Sequence, residues 1–201
     1  AALDLGVPIP SIAEAVFARN MSAMKQERVA AEKVFAPKRG RYAGDRGAFV
    51  DAIRNALFAS KLCAYAQGFA LMKAASDNYG WRLDYGRIAL LWREGCIIRA
   101  RFLERIKEAF GRDAQLPNLL LDSFFKEAVA KGLGDWRKVV VAAMELGYSA
   151  PAFSSALQYF DGYTCGRLPA NLTQGQRDYF GAHTFERVDK PGSFHVDWAG
   201  A

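Results

Sequence analysis

Apolar residues recur at intervals of three and four along most of this chain, which is the period of amphipathic helices. Gly6-Val7-Pro8-Ile9-Pro10 reads as a turn, and Ser11 with Glu14 three residues on reads as a capping box, so a helix is expected over 11–35. Ile12, Val16, Phe17, Met21, Met24 and Val29 trace its apolar stripe, with Arg28 packing through its stem. A basic loop, 36–45, follows, broken by Pro37, Gly40 and Gly44. The longest periodic stretch is 46–78. Phe49, Ile53, Ala56, Leu57, Ser60, Ala64, Gln67, Gly68, Leu71 and Ala75 form one seam, and Phe58, Leu62, Tyr65, Phe69 and Met72 a second. A helix apolar on two sides predicts a central position, buried between its own domain and a partner; the core helix of a monomer fits the same pattern.

Further helices are expected after Asp84 as a cap, over 96–110 beyond an interruption at Gly95, after Asn118 or Asp122, over 136–146 with Asp135 as cap, and over 152–164 with Pro151 at the first helical position. A short helix from Asn171, as a possible N-cap, to a stop at Gly181 completes the set. Residues 187–198 have turn chemistry at Pro191-Gly192 and an anchor at Trp198 but no periodicity, and read as an arm. No strand pattern or repeat is evident. The fold expected is all-α: a single large helical domain, 1–186, built around a long central helix, with a C-terminal arm, 187–201.

About half the residues are hydrophobic, enough for a sizeable core in 201 residues. No apolar run approaches the roughly 20 residues needed to span a bilayer, and no signal segment is visible, so no membrane partner is expected. The formal net charge of +6 raises nucleic acid or an acidic ligand as partner. Acids interleave with the bases, as in Lys25-Gln26-Glu27-Arg28 and around Glu104 and Glu108, so solvated faces explain most of the charge and nucleic acid is not expected. Cys63, Cys96 and Cys165 are dispersed in helical patterns and suit reduced, buried thiols in a cytoplasmic protein. Two histidines and three scattered cysteines give no metal-ligand spacing. Gly132-Leu133-Gly134-Asp135-Trp136-Arg137 lacks the third glycine of a dinucleotide loop and follows a helix, and no nucleophile–base pair stands out.

One stretch resists a packing explanation. In Leu168-Pro169-Ala170-Asn171-Leu172-Thr173-Gln174-Gly175-Gln176-Arg177-Asp178-Tyr179-Phe180-Gly181-Ala182-His183-Thr184-Phe185-Glu186, polar groups crowd among the aromatics. Arg177 and His183 are six apart and fall on different faces of a continuous helix, but a break at Gly181 lets His183 fold back toward Arg177. A guanidinium beside an imidazole suits a phosphate or carboxylate. An interfacial helix with a surface arginine and a half-buried histidine fits the same spacing.

The run LPANLTQGQRDYFGAHTFER resembles the C-terminal signature of 6-phosphogluconate dehydrogenases, the decarboxylating enzymes of the pentose phosphate pathway. AVFAR, ALFASKLCAYAQGFALM and LLWREGCIIRARFL are similar to that family too, so the resemblance extends nearly end to end. It implies the helical domain of an NADP-dependent enzyme that turns 6-phosphogluconate into ribulose 5-phosphate and CO2. The Rossmann domain and the catalytic residues would precede this chain, so none of the latter is assigned here and the chain alone is not expected to be active. The resemblance nominates Arg19 for the substrate phosphate in the subunit's own site. It places Arg177 on the phosphate, and His183 on a hydroxyl or the phosphate, in the neighbouring site of a homodimer, with the arm reaching the other subunit. The chain ends like short-tailed members, and no cofactor contact is assigned to the tail. A related β-hydroxyacid dehydrogenase domain and a non-catalytic helical scaffold are the rival readings.

Overall fold

A computed structural model describes residues 1–93, 100–198 and 200. The predicted interruption at Gly95 and Cys96 lie outside these residues; among the described ones the helix expected over 96–110 runs from Leu103 to Arg112. Two compact units are present, Ala1–Phe160 and Asp161–Ala201.

The helical expectation holds. In the first unit α1 (Pro10–Ala23) and α2 (Lys25–Phe35) are separate helices with a break at Met24, rather than one run. Ser11 does not cap α1. Pro10 occupies the first turn, and Ser11 is buried one residue inside, where its N–H donates to Gln67 Oε1 at 3.0 Å and its hydroxyl accepts from Gln67 Nε2 at 2.8 Å. A partner 56 residues away has displaced the local cap, and in doing so fastens α1 to the central helix. Arg28 reaches the Ser22 carbonyl at 3.2 Å and is exposed, so it does not pack through its stem as expected.

The central helix is α3 (Arg46–Tyr79), 34 residues long, capped by Asp45 and ended by Gly80 in the left-handed region at φ 67°. Its buried stripe is Ala52, Ala56, Ala59, Leu62, Cys63, Ala66 and Phe69. The small residues face α6 (Ser123–Glu145), whose Gly132 comes so close that an added Cβ would lie 3.1 Å from the Asn55 carbonyl oxygen. Asp122 caps α6, and the helix runs on through Asp135, which is not a cap but accepts from Asn55 Nδ2 at 2.7 Å. Trp136 and Phe125 are the largest fully buried side chains, and Trp136 Nε1 donates to the Phe153 carbonyl at 3.1 Å on α7 (Pro151–Tyr163). Between α3 and α6 run α4 (Tyr85–Leu90), capped by Asp84, α5 (Leu103–Arg112), and a 3₁₀ turn, Leu119–Leu121, capped by Asn118. Arg112 forks onto Asp122 at 2.6 and 3.1 Å.

Several expected core positions face water in this chain. Ile53 and Leu57 on α3, and Val16, Phe17 and Met21 on α1, are all exposed. Cys63 is buried as expected, and desolvation pushes its thiol up to about 12, whereas Cys165 is exposed because it follows the end of α7. Among the described residues no helix is long and apolar enough to cross a membrane.

The second unit contains α8 (Asn171–Gly181) and a strand pair that periodicity does not announce. β1 (Phe185–Glu186) and β2 (Ser193–Phe194) are antiparallel, with Phe185 opposite Phe194 and Glu186 opposite Ser193. Two residues per strand are too few to show alternation, which is why only the Pro191-Gly192 turn was visible in the sequence.

Candidate functional site

The second unit is organised by one carboxylate. Asp178 lies in α8 and is fully buried, and four donors converge on it. Oδ1 accepts from the Thr184 N–H at 3.0 Å and pairs with His195 Nδ1 at 2.9 Å. Oδ2 accepts from the Val196 N–H at 3.1 Å and Trp198 Nε1 at 3.0 Å. An ionised carboxylate only accepts, so this arrangement selects the His195 form with a proton on Nδ1. Burial alone would raise the pKa of Asp178. The bonds from His195, Val196 and Trp198, with the attraction of His195, outweigh burial and hold the group at about 2.

This hub fixes the turn that carries His183. α8 ends at Gly181, and Ala182 takes a left-handed conformation at φ 47° with its N–H on the Asp178 carbonyl at 2.9 Å. Thr184 is left-handed as well, at φ 61°. Each such non-glycine residue costs about 1–2 kcal/mol, so the surroundings must hold it there. Thr184 is held on three sides: its N–H by Asp178, its carbonyl by Gln174 Nε2, and its hydroxyl by Ser193 Oγ at 3.1 Å. His183 stands between these two residues. Its ring folds back over the last turn of α8, edge-on to Phe180 with centroids 6.1 Å apart. A Cβ at position 181 would meet the ring Cδ2 and Nε2 at 2.8 Å, so only glycine leaves the imidazole where it is.

The predicted stop at Gly181 is therefore right in place, and the glycine is also the seat of the histidine ring. Asn171 does not cap α8; Ala170 precedes the helix without a side-chain cap bond. The break folds His183 back as expected, but it rests on Phe180 and Gly181, and no hydrogen bond joins it to Arg177. Arg177 is exposed on α8, and among the described residues it has no ion-pair or hydrogen-bond partner. Arg41, Arg46, Arg82 and Arg101 are similarly unpaired, so that property does not single it out. Its setting does: Leu172, Tyr179 and Phe180 expose 88, 68 and 66% of their surface on the same short helix. Arg19 is exposed on α1, the helix that the Ser11–Gln67 bonds fasten to α3.

Sequence reasoning missed Asp178, His195 and Trp198 as a set. The signals were a carboxylate among aromatics inside α8 and an anchor at Trp198, and nothing joined them, because the partners of Asp178 lie 6 to 20 residues downstream. Among the described residues, no group of three or more His, Cys, Asp or Glu could hold a metal ion.

The sequence profile of the 6-phosphogluconate dehydrogenase C-terminal domain matches residues 1–198. The chain is 56% identical over 198 residues to the NADP(+)-dependent, decarboxylating 6-phosphogluconate dehydrogenase of Bacillus subtilis, covering 98% of this chain and 42% of the relative. It is 51% identical over 201 residues to the human decarboxylating 6-phosphogluconate dehydrogenase, with 99% and 42% covered. The chain thus spans about two-fifths of the length of the curated relatives it matches. A Plasmodium falciparum 6-phosphogluconate dehydrogenase, whose structures include the apo form and complexes with NADP+ and with 6-phosphogluconate, superposes with a TM-score of 0.91 at 40% identity, covering 98% of this chain and 43% of that one. Sequence and fold together place the chain in the 6-phosphogluconate dehydrogenase family, as its C-terminal domain.

Proposed function

We propose that this chain is the substrate-clamping, dimer-forming part of an NADP-dependent enzyme that decarboxylates 6-phosphogluconate to ribulose 5-phosphate. The observation that carries the reading is the His183 turn: a histidine seated on glycine between two strained residues, on an exposed apolar helix that also presents Arg177. Strain of this kind persists where a side chain must be aimed. Arg19 binds the substrate phosphate in its own subunit's site. Arg177 and His183 enter the neighbour's site, the arginine on the phosphate and the histidine on a hydroxyl or the phosphate. Two guanidiniums on one phosphate supply charge-assisted bonds of about 1.5–3 kcal/mol each.

The homodimer supplies what the single chain lacks. The exposed apolar residues of α3 and α1, and Leu172, Tyr179 and Phe180 of α8, are surfaces that a second copy would cover. NADP is assigned mainly to a domain outside this chain: among the described residues no strand leads through a glycine-rich turn into a helix, and the strands are two residues long. The hydride-accepting chemistry accordingly belongs to a nucleotide-binding domain joined to this one. Here the protein's part is to hold the phosphate so that the reacting carbon is fixed, where a misplacement of about 1 Å can cost 10²-fold.

The test is the enzyme comprising this chain and its nucleotide-binding domain, mixed with 6-phosphogluconate and NADP, with nicotinamide absorbance and CO2 followed together. Reduction coupled to CO2 release is expected. Arg177→Ala and Arg19→Ala should each raise KM for 6-phosphogluconate by at least about tenfold while KM for NADP stays put. An unchanged KM for the sugar phosphate in both variants would contradict the assignment.

A further inference from the structure

We propose that Asp178 is a positioning residue, and that it makes the C-terminal strap 195–198 part of the substrate site by tying that strap and the His183 turn to one buried anion. This rests on the reading of His183 as a substrate ligand. The geometry is specific. One donor to the carboxylate, the Thr184 N–H, comes from the residue that follows His183. The other three, from His195, Val196 and Trp198, all come from the strap. Each oxygen takes two of the four, so the charge has no unused side.

Further contacts close the same loop. The Thr184 hydroxyl meets Ser193 at 3.1 Å, and Trp198 lies edge-on to Tyr179 with centroids 5.9 Å apart. Tyr179 follows Asp178 directly, so the indole braces the helix turn that bears the carboxylate. Asp178 itself is fully buried and so is not offered to substrate; it acts on His183 through the backbone of Thr184. A left-handed Thr184 is unfavourable on its own, and its amide bond to Asp178 is one of the restraints that keeps it so. If the strap lets go, the carboxylate is left buried with one donor, and it must either find water or swing out. Swinging out releases the Thr184 amide, and water entering beside the carboxylate weakens its hold on that amide, so the turn that carries His183 loses one of its restraints.

The strap's own residues test this without touching Asp178. In the complete enzyme, His195→Ala should raise KM for 6-phosphogluconate by about tenfold, the scale of one charge-assisted bond. His195→Asn, whose amide nitrogen can stand in for Nδ1, should restore most of the loss. Asp178→Asn turns one oxygen into a donor facing two donors and should have the larger effect, with KM for NADP unchanged in all three. In parallel, ring resonances of His183 and the ¹⁹F signal of 5-fluorotryptophan at position 198 should both move in His195→Ala and return in His195→Asn. Should Asp178→Asn fail to fold, the His195 pair decides. A KM unmoved by His195→Ala, in an enzyme where Arg177→Ala does raise it, overturns the proposal while leaving the phosphate reading intact. A KM unmoved by both, with His183 and Trp198 resonances shifting together, overturns the phosphate reading and confines Asp178 to positioning a side chain without that role. Resonances that stay in place overturn the positioning itself.

Discussion

The two units of this chain are held together by opposite means. The first is organised around α3 and α6, where alanine and glycine bring two helices close, and Trp136, Phe125, Leu62 and Ile106 are fully buried in its core. Among its described residues the second has no buried apolar side chain, and its order comes from four hydrogen bonds to Asp178. An apolar core is tolerant of pH and intolerant of lost volume. A charge-centred hub is the reverse. The division suits the proposed work, since a packed scaffold fixes where α1 and its Arg19 stand, while a polar clasp sets one side chain on a short, exposed helix.

The largest effect should come from the scaffold. Trp136→Ala removes a fully buried indole and should cost about 3–5 kcal/mol, visible in equilibrium denaturation as a lower midpoint. Retention of the wild-type midpoint would mean the α3–α6 core is not what holds the first unit. Next, Gln67→Ala leaves the Ser11 amide and hydroxyl buried without partners, a loss of about 1–3 kcal/mol. That variant should also raise KM for 6-phosphogluconate, because α1 carries Arg19; a stability loss with KM intact would separate the clamp from the site.

Acid should then pull the two units apart in behaviour. The folded pKa of Asp178, about 2, lies below its ordinary value of 3.8. The contribution of its ionised form is therefore present above pH 3.8 and is lost as the pH falls through about 2. The ¹⁹F resonance of fluorotryptophan at Trp198 should shift in this window before that of Trp136 does. A simultaneous shift of both would show that the hub has no acid sensitivity of its own.

What was legible in the sequence follows the same line. The long helix and the caps at Asp84, Asn118 and Asp122 rest on local periodicity and local hydrogen bonds, and they stand as expected. The capping box at Ser11 and the cap at Asp135 failed because distant residues, Gln67 and Asn55, captured those side chains. The interruption at Met24 was hidden by an apolar stripe that runs straight across it. In the candidate site, Arg177 and His183 were nominated by motif and the break after Gly181 by composition. The Asp178 hub was invisible because nothing in a one-dimensional pattern announces that three donors from an aperiodic tail and one from the turn after α8 will meet at one carboxylate.

The smallest expected change in stability belongs to Gly181→Ala, and it bears most directly on the role of His183. Gly181 is helical, so alanine there should leave stability unchanged or raise it by up to about 1 kcal/mol. The new methyl would meet the His183 ring at 2.8 Å and displace the imidazole. The measurement is KM for 6-phosphogluconate in the complete enzyme carrying Gly181→Ala, set beside its thermal midpoint. A KM raised by about tenfold is expected, with the midpoint and KM for NADP preserved. A KM equal to that of the unaltered enzyme, with the ring shown to have moved, would contradict the claim that this unit exists to aim His183 at the substrate.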